Sequence, residues 1–466
     1  MELITKIVAA VNDVLWNKQL LLLFLLLGTG IFYSIRTRFV QVRKFGQGCR
    51  QLFGSISLSG DKAGKDGMSS FQALATAIAA QVGTGNISGC ATALYSGGPG
   101  AIFWMWLSAF FGMSTIYGEA ILAQTYRTTD ENGHVTGGPI YYIRAAFRGG
   151  FGKFLAGFFS VAIILALGFM GNMVQSNSIS DAFHTAFGTP KIAVGLAVAA
   201  VAAFIFLGGV QRIASFTEKV VPIMAVFYII GCLVILCINH ATLWSAVKSI
   251  FICAFDPQAI FGGVAGLGVK EAMRYGVARG LFSNEAGMGS TPHAHAQANV
   301  TDPHDQGVVA MIGVFMDTFV VLTLNALVVI STLYTPGGPL AECGAAAASQ
   351  VLNKTNLAQT AFGSVFGAET GAMFVAICLF FFAFSTILSW NLFGKINVVY
   401  LFGKKGAVVY SILALGFIFL GTVTGSDFVW ELTDMFNNLM VIPNAIALFA
   451  LTGLVVRTTH GVGVKK

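Results

Sequence analysis

Charged side chains are scarce in this sequence. Only 10% of its 466 residues are Asp, Glu, Lys or Arg, whereas 56% are hydrophobic. Soluble domains usually carry about a quarter charged residues, so the composition excludes an ordinary soluble protein and predicts an integral membrane protein. Because apolar segments take up most of the chain, little room is left for a separate soluble domain.

The sequence also lacks the motifs of hydrolytic and phosphate chemistry. Its seven cysteines show no CxxC spacing, and HExxH, GxSxG and Gly-rich phosphate-loop motifs are missing. Neither an enzyme nor a zinc or disulfide framework is therefore predicted. His293 and His295 invite a metal hypothesis, but residues two apart on a helix point about 200 degrees away from each other, which argues against shared ligation.

Acidic residues are outnumbered by basic ones, which gives a net charge of +7. In a chain this apolar, the excess is better explained by loop charges that set membrane orientation than by nucleic-acid binding. If the amino terminus lies outside, most loop lysines and arginines fall in the cytoplasm. The loop lysines that remain outside are Lys6, Lys18, Lys191, Lys248 and Lys354. The positive-inside rule therefore predicts an external amino terminus and a cytoplasmic carboxyl terminus.

Long apolar runs alternate with polar breaks along the whole chain. Since a helix needs about 20 apolar residues to cross a bilayer, these runs predict about eleven transmembrane helices. The predicted spans are 18–35, 69–95, 99–125, 153–177, 190–210, 217–239, 262–292, 307–333, 369–393, 407–423 and 428–456. Two external loops, 243–255 and 341–352, are long enough to carry short helices.

The ten spans after the first divide into five and five, and a glycine-interrupted polar helix opens each half. An odd number of spans per half means that the second half inserts upside down relative to the first. Such paired broken helices are the sequence pointer to the midplane site of a secondary transporter. The predicted organisation is a peripheral helix and cytoplasmic linker in 1–60, inverted repeats in 61–240 and 241–456, and a cytoplasmic tail in 457–466. The predicted fold class is an all-α polytopic membrane protein with this 5+5 core.

The first interruption is the segment from Gln81 to Asn86. Gly83 and Gly85 allow the backbone to unwind, while Thr84 and Asn86 offer a hydroxyl and an amide that need partners away from water. The helix ends at such a break present N–H groups to an anion and free carbonyls to a cation, which suits a substrate carboxylate and a sodium ion. The alternative is that the glycines serve close helix packing. A second break in the chain favours a site.

The second interruption runs from Ser283 to Ser290, within a span that is unusually rich in ionisable groups. Ser283 and Asn284 are candidate site residues, whereas Glu285 is more easily explained as structural. Because charges at membrane depth need partners, we expect Arg279 to pair with Glu285 or with Glu119.

Hydroxyl groups in the ninth span are candidate sodium ligands, because sodium prefers hard oxygen donors. Ser385 and Ser389 are one turn apart and should share a face, with Thr386 beside them. These hydroxyls could instead bond to carbonyls of their own helix. Asp317 in the eighth span and Glu119 in the third could act as proton relays or as helix-to-helix hydrogen-bond partners, and the sequence leaves both roles open.

Three motifs resemble the alanine or glycine:cation symporter family of prokaryotic transporters. They are Gly83-Thr84-Gly85-Asn86, the stretch Gly97-Gly98-Pro99-Gly100-Ala101-Ile102-Phe103-Trp104-Met105-Trp106, and Gly280-Leu281-Phe282-Ser283-Asn284-Glu285-Ala286-Gly287-Met288-Gly289-Ser290. The resemblance spans the chain. It implies a fold like that of the leucine transporter, with ten core helices and one additional amino-terminal helix, in a prokaryotic plasma membrane.

The resemblance also implies roles for individual residues, through the Val-Gly-x-Gly-Asn break of sodium-coupled neurotransmitter-type transporters. The implied sodium ligands are the carbonyls of Ala79 and Val82 with the hydroxyls of Ser385 and Thr386. The implied contacts to the substrate carboxylate are Thr84, Gly85 and Asn86, and those around its amino group and short side chain are Phe282, Ser283 and Asn284.

The function expected from these features is sodium-coupled symport of alanine or glycine into the cell by alternating access. The partners are the amino acid, sodium and the bilayer, and no cofactor besides the coupling ion is expected. A proton-coupled or glutamine-type carrier, a passive channel for small solutes, and a receptor remain the alternatives.

Overall fold

The computed structural model describes residues 2–17, 21–54, 67–130, 133–255, 268–335, 340 and 356–461. Over these residues the chain is helical apart from loops and a two-stranded antiparallel hairpin. Six helices are long and apolar enough to cross a membrane in the part of the chain that is described. The predicted all-α membrane class is therefore confirmed.

The elements up to the middle of the chain begin with a short amino-terminal helix and end with a long apolar one. They are α1 (Glu2–Asn12), α2 (Leu21–Arg36), α3 (Val40–Arg43), α4 (Phe45–Gly54), α5 (Ser70–Gln81), α6 (Cys90–Gly97), α7 (Gly100–Thr125), β1 (Thr128–Thr129), β2 (Val135–Thr136), α8 (Pro139–Ala146), α9 (Gly150–Ile163), α10 (Asn172–Phe187), α11 (Lys191–Phe206) and α12 (Gly209–Ile238).

The second half of the chain also contains both long and short helices. Its elements are α13 (His240–Phe255), α14 (Val269–Asn284), α15 (Pro292–His295), α16 (Pro303–Val314), α17 (Thr323–Leu333), α18 (Leu357–Phe366), α19 (Ala368–Val423) and α20 (Ser426–Thr459). Within the described residues, four π-helical segments interrupt the regular helices, at Asp13–Asn17, Gly85–Gly89, Ile164–Gly171 and Phe315–Leu322. Such segments often occur at functional sites.

Over the described residues the predicted spans fall on helices, six of which are long and apolar enough to cross a membrane. The predicted spans 369–393 and 407–423 both lie in α19, which turns at Gly403 with a φ of 70°. The expected external helix at 243–255 is α13, whereas the one expected at 341–352 lies outside the described residues.

Large apolar side chains cover much of the outer surface. Leu207 is 87% exposed, Phe402 68% and Ile223 67%. In water such exposure would be costly, but lipid tails are as apolar as leucine. The surface is therefore the one expected of a protein surrounded by lipid.

The interior places the two interrupted helices next to each other. The first, made of α5 and α6, packs with α5 against α12 and α19. The second begins with α14, which packs against α6 and α7. Ser69 starts α5 with a capping box, in which its hydroxyl accepts from the Gln72 N–H while the Gln72 side chain accepts from the Ser69 N–H.

Candidate functional site

The first break follows the end of α5. Val82 has a φ of −81° and a ψ of 80°, which takes the backbone out of the helix, and a π-helical segment begins at Gly85. The Gly83 N–H donates to Asn86 Oδ1 over 3.1 Å, and the Thr84 N–H donates to Gln175 Oε1 over 3.1 Å. Side chains thus partner main-chain groups that the interrupted helix leaves free, as a break inside a membrane requires.

The second break follows the end of α14. Glu285 adopts a left-handed conformation with a φ of 57°, and Gly287 and Gly289 have φ values of 86° and 82°. The Glu119 carboxylate accepts hydrogen bonds of 3.0 Å from the N–H groups of both glycines, and one of 2.6 Å from Asn444 Nδ2. Glu119 therefore holds the unwound segment from α7.

The expected pairing of Arg279 with Glu285 or Glu119 is wrong. Arg279 forms a bidentate ion pair with Asp434 of α20, and its guanidinium lies 4.8 Å from the ring centroid of Trp430. The reason is that Glu119 is occupied by the main chain of the break, while Glu285 accepts hydrogen bonds from Ser290 Oγ and from the indole N–H of Trp390.

The two breaks touch each other. A Cβ atom on Gly85 would lie 2.9 Å from the Cα atom of Ser283, so only glycine permits this approach. Gln81 Nε2 donates to the carbonyl of Asn284 over 2.8 Å. All four of these residues are buried, so the contact lies inside the protein.

Asp317 joins the two breaks, and sequence reasoning left its role open. Its carboxylate accepts from Asn86 Nδ2 over 2.7 Å, from Ser283 Oγ over 2.9 Å and from Thr318 Oγ1 over 2.8 Å. The π-helical segment Phe315–Leu322 holds both Asp317 and Thr318 at this point. The sequence signal was an Asp-Thr pair inside an apolar span.

The residues expected around the amino acid lie at this contact. Thr84 Oγ1 is buried and forms no hydrogen bond with any described residue. Asn284 Nδ2 donates to Thr318 Oγ1 over 3.3 Å. The ring of Phe282 lies edge-on to Trp390, with centroids 5.8 Å apart, and 4.9 Å from the centroid of Trp430.

The residues expected to bind sodium divide into two groups. Thr386 Oγ1 donates to the Ala79 carbonyl over 2.8 Å, and a Cβ atom on Gly83 would lie 2.4 Å from the same hydroxyl. Val82, the other expected carbonyl ligand, is buried in the adjacent turn. Ser385 Oγ instead donates to the carbonyl of Phe382 in its own helix.

Ser385 and Ser389, which we expected to share one face of the ninth span, contact different neighbouring helices. Ser389 Oγ donates to the Thr76 carbonyl on α5 over 2.9 Å, whereas Ser385 Oγ lies 3.9 Å from Met224 Sδ on α12. The rotation of α19 between its neighbours makes Thr386 and Ser389 the pair that faces α5.

The two histidines after the second break lie in separate environments. His293 stacks between Phe159 and Phe393, and its Nε2 contacts Asn397 Nδ2 at 2.8 Å. His295 Nδ1 contacts the side-chain nitrogen of Gln306 at 2.8 Å. No group of three or more metal-ligating side chains occurs among the described residues.

Comparisons with known proteins agree with this architecture. The model of the family described as sodium:alanine symporter matches residues 1–462. Sodium/alanine symporter AgcS of Methanococcus maripaludis is 41% identical, over 97% of this chain and 96% of that protein. Probable sodium/glutamine symporter GlnT of Bacillus subtilis is 38% identical, over 97% of this chain and 90% of that protein.

A solved structure shows the same fold. The crystal structure of MhsT in complex with L-phenylalanine matches with a TM-score of 0.59 at 12% identity, over 87% of this chain and 94% of that one. At this identity the likeness concerns the fold alone, and it confirms the expected leucine-transporter-like class.

Proposed function

The chain belongs to the sodium:alanine symporter family, and from this premise we propose that it carries alanine or glycine into the cell together with sodium by alternating access. Family and relatives are transporters and not enzymes, and amino-acid symport with a cation is the activity that they support. The choice of amino acid and of sodium as the ion is our proposal.

The observation that carries the proposal is the buried contact of the two breaks. An amino acid has a carboxylate and an ammonium group, and both must leave water together in a membrane site. The Thr84 hydroxyl, which has no hydrogen-bond partner among the described residues, and the main-chain N–H of Gly85 would receive the carboxylate. The Asp317 carboxylate adds the negative charge that an ammonium group or a cation requires, and we include it in the site.

The proposed preference for a short side chain rests on the packing around Ser283 and Asn284. Phe282 lies against two tryptophans, and Gly85 lies against the Ser283 main chain. Large side chains would displace these contacts, at a cost of about 1–3 kcal/mol for an overpacked core. Because GlnT is named as a glutamine carrier, glutamine is the competitor to test first.

The proposed sodium site lies between α5 and α19. The Ala79 carbonyl and the Thr386 hydroxyl are already in contact there, and the Val82 carbonyl of the adjacent turn would join them. Ser385, which contacts α12 and its own helix, is not part of the proposed set. Sodium would stabilise the unwound segment that also receives the amino acid. Coupling of this kind is reciprocal, so alanine must raise sodium affinity by the factor by which sodium raises alanine affinity.

Uptake of labelled alanine into proteoliposomes tests this function. We expect accumulation with an inward sodium gradient and none with choline, and competition by glycine to exceed competition by glutamine. Equal uptake in sodium and in choline without a proton gradient would exclude cation-coupled symport, whereas uptake driven by a proton gradient alone would replace sodium by protons. A passive channel would equilibrate alanine without counterflow.

We also propose the topology that the loop charges indicate. The amino terminus lies outside and the carboxyl terminus in the cytoplasm, in a prokaryotic plasma membrane, with repeats in 61–240 and 241–456. Single-cysteine labelling of Arg38 and Arg148 variants from either side of sealed vesicles tests this topology. Both sites should react from the cytoplasmic side.

A further inference from the structure

Polar groups continue from the proposed sodium site towards the start of α5. Gln72, Thr76 and Ala79 lie at intervals of four and three residues, so they share one face of that helix. This face packs against α12 and α19. The three positions thus form a track along the helix axis, which we call the α5 polar face.

Each position of the α5 polar face contacts a neighbouring helix through oxygen atoms. Near the carboxyl-terminal end of α5, the Ala79 carbonyl accepts a hydrogen bond from the Thr386 hydroxyl. One turn below, the Thr76 carbonyl accepts from Ser389, and the Thr76 hydroxyl lies 3.1 Å from the hydroxyl of Thr217 on α12. Carbonyl and hydroxyl oxygens are the donors that a sodium ion prefers.

The α5 polar face ends at Glu218. Gln72 Nε2 donates to Glu218 Oε2 over 3.1 Å, which orients this carboxylate towards α5. Glu218 is only 4% exposed, and its other oxygen, Oε1, forms no hydrogen bond with any residue that the structure describes. Among those residues it also makes no ion pair.

A buried carboxylate with one unpartnered oxygen is costly. The neighbouring basic residue in the sequence, Lys219, is exposed and lies outside this interface. Helix-to-helix contact with Gln72 alone does not require a charge, because a glutamine would accept the same hydrogen bond. A cation that binds transiently at Oε1 would require the negative charge of the Glu218 carboxylate.

We propose that Glu218 forms a second, transient cation site through which the coupling ion leaves the Ala79 and Thr386 site by way of Thr76 and Thr217. This inference rests on the proposed sodium symport and extends it with an exit path. The path leads to the end of the molecule where α5 begins.

A main-chain bridge closes that end. The Met68 N–H donates to the Gln297 carbonyl over 2.8 Å, and the Asn299 N–H donates to the Met68 carbonyl over 2.7 Å. The bridge joins the residue before the first broken helix to the segment after the second. Ion release along the α5 polar face therefore requires the two broken helices to separate at this end.

Glu218→Gln tests the path, with Glu369→Gln as matched control because Glu369 is exposed at the start of α19. Three quantities are measured: sodium-stimulated binding of labelled alanine, sodium-driven net uptake, and exchange of labelled for unlabelled alanine with saturating sodium on both sides. We expect net uptake by E218Q to fall about tenfold, because a full charge beside a monovalent ion is lost.

Binding and exchange by E218Q should stay within about twofold of wild type, because exchange does not require ion release. The control variant should match wild type in all three. Unchanged net uptake by E218Q, or an equal loss in all three measurements at normal thermal stability, would overturn the path. If wild type itself shows no sodium-stimulated binding, the proposed function fails first and the path with it.

Two further variants keep the test decisive if E218Q does not fold. Glu218→Asp retains the charge and should recover part of the net uptake. Thr217→Val keeps the volume but removes the hydroxyl, and should lower net uptake in the same direction by a smaller factor. Net uptake at the wild-type rate in T217V, together with no difference between E218D and wild type, would count against the path.

Discussion

Gly85→Ala is the substitution that most directly probes the contact of the two breaks. The added Cβ atom would lie 2.9 Å from Ser283 Cα, 3.1 Å from Ser283 Cβ and 3.3 Å from Ser283 N. The first two neighbours are carbon atoms, and carbon pairs are optimal at about 3.5–4.0 Å. The closest of them belongs to the main chain, so a side-chain rotation cannot relieve the clash.

The expected magnitude follows from the cost of overpacking. Inserting one methyl group into a well-packed interior costs about 1–3 kcal/mol. Since each 1.4 kcal/mol is about a factor of ten, G85A should lower the affinity for alanine or the maximal uptake by about 5- to 150-fold. Gly85 has no positive φ, so the substitution tests the contact and not backbone strain.

The measurement combines uptake into proteoliposomes, equilibrium alanine binding and thermal unfolding in detergent. Gly28→Ala is the matched control, because Gly28 lies in α2 and a Cβ there meets no atom within 4 Å. G28A should keep wild-type uptake and unfolding temperature. If G85A transports and binds alanine like wild type, the two breaks do not form the site at this contact.

Three other substitutions test separate parts of the site. Asp317→Asn should lower uptake at least about tenfold and should also lower the unfolding temperature, because buried charged hydrogen bonds worth about 1.5–3 kcal/mol are lost. Uptake with the wild-type rate and sodium dependence would remove Asp317 from the site. Glu119→Gln should lower uptake and the unfolding temperature, with a loss of about 1–3 kcal/mol in stability, since the main-chain N–H groups of the second break lose their anionic acceptor. An unchanged melting curve would show that Glu119 does not hold the second break. Gly67→Ala should weaken the main-chain bridge between Met68 and Gln297, because Gly67 has a φ of 105° and its Cβ would lie 2.3 Å from the Gln297 carbonyl oxygen. A thiol probe added from the cytoplasmic side should then react faster with a cysteine that replaces Thr217. Equal labelling rates with and without G67A would refute this.

The sequence alone determined the all-α membrane class and the position of both breaks. Hydropathy and the length of a membrane crossing are local properties, so runs of apolar residues predicted the helices that the structure shows. Gly83 and Gly85, and later Gly287 and Gly289, stand out because they lie beside polar and ionisable residues, which are rare inside such runs. The break of α14 was predicted within the segment where Glu285 turns left-handed.

Only the tertiary structure decided which polar groups meet. Arg279 pairs with Asp434, 155 residues away, and Asp317 accepts a hydrogen bond from Asn86, 231 residues away. The sequence offers several carboxylates to Arg279 and to Asn86, and no local sequence feature shows which of them each residue contacts. The choice depends on how ten or more helices pack, because a buried charge takes the partner that this packing brings within hydrogen-bond distance.

The rotation of each helix about its own axis also depended on the packing of the neighbouring helices. Helical spacing placed Ser385 and Ser389 on one face, but only the packing of α19 between α5 and α12 turned Thr386 and Ser389 towards the broken helix. Likewise, the π-helical segment Phe315–Leu322 changes the direction in which Asp317 projects. The sequence could name the candidate hydroxyls and carboxylates, because their presence in an apolar span is unusual, while their partners depended on long-range packing.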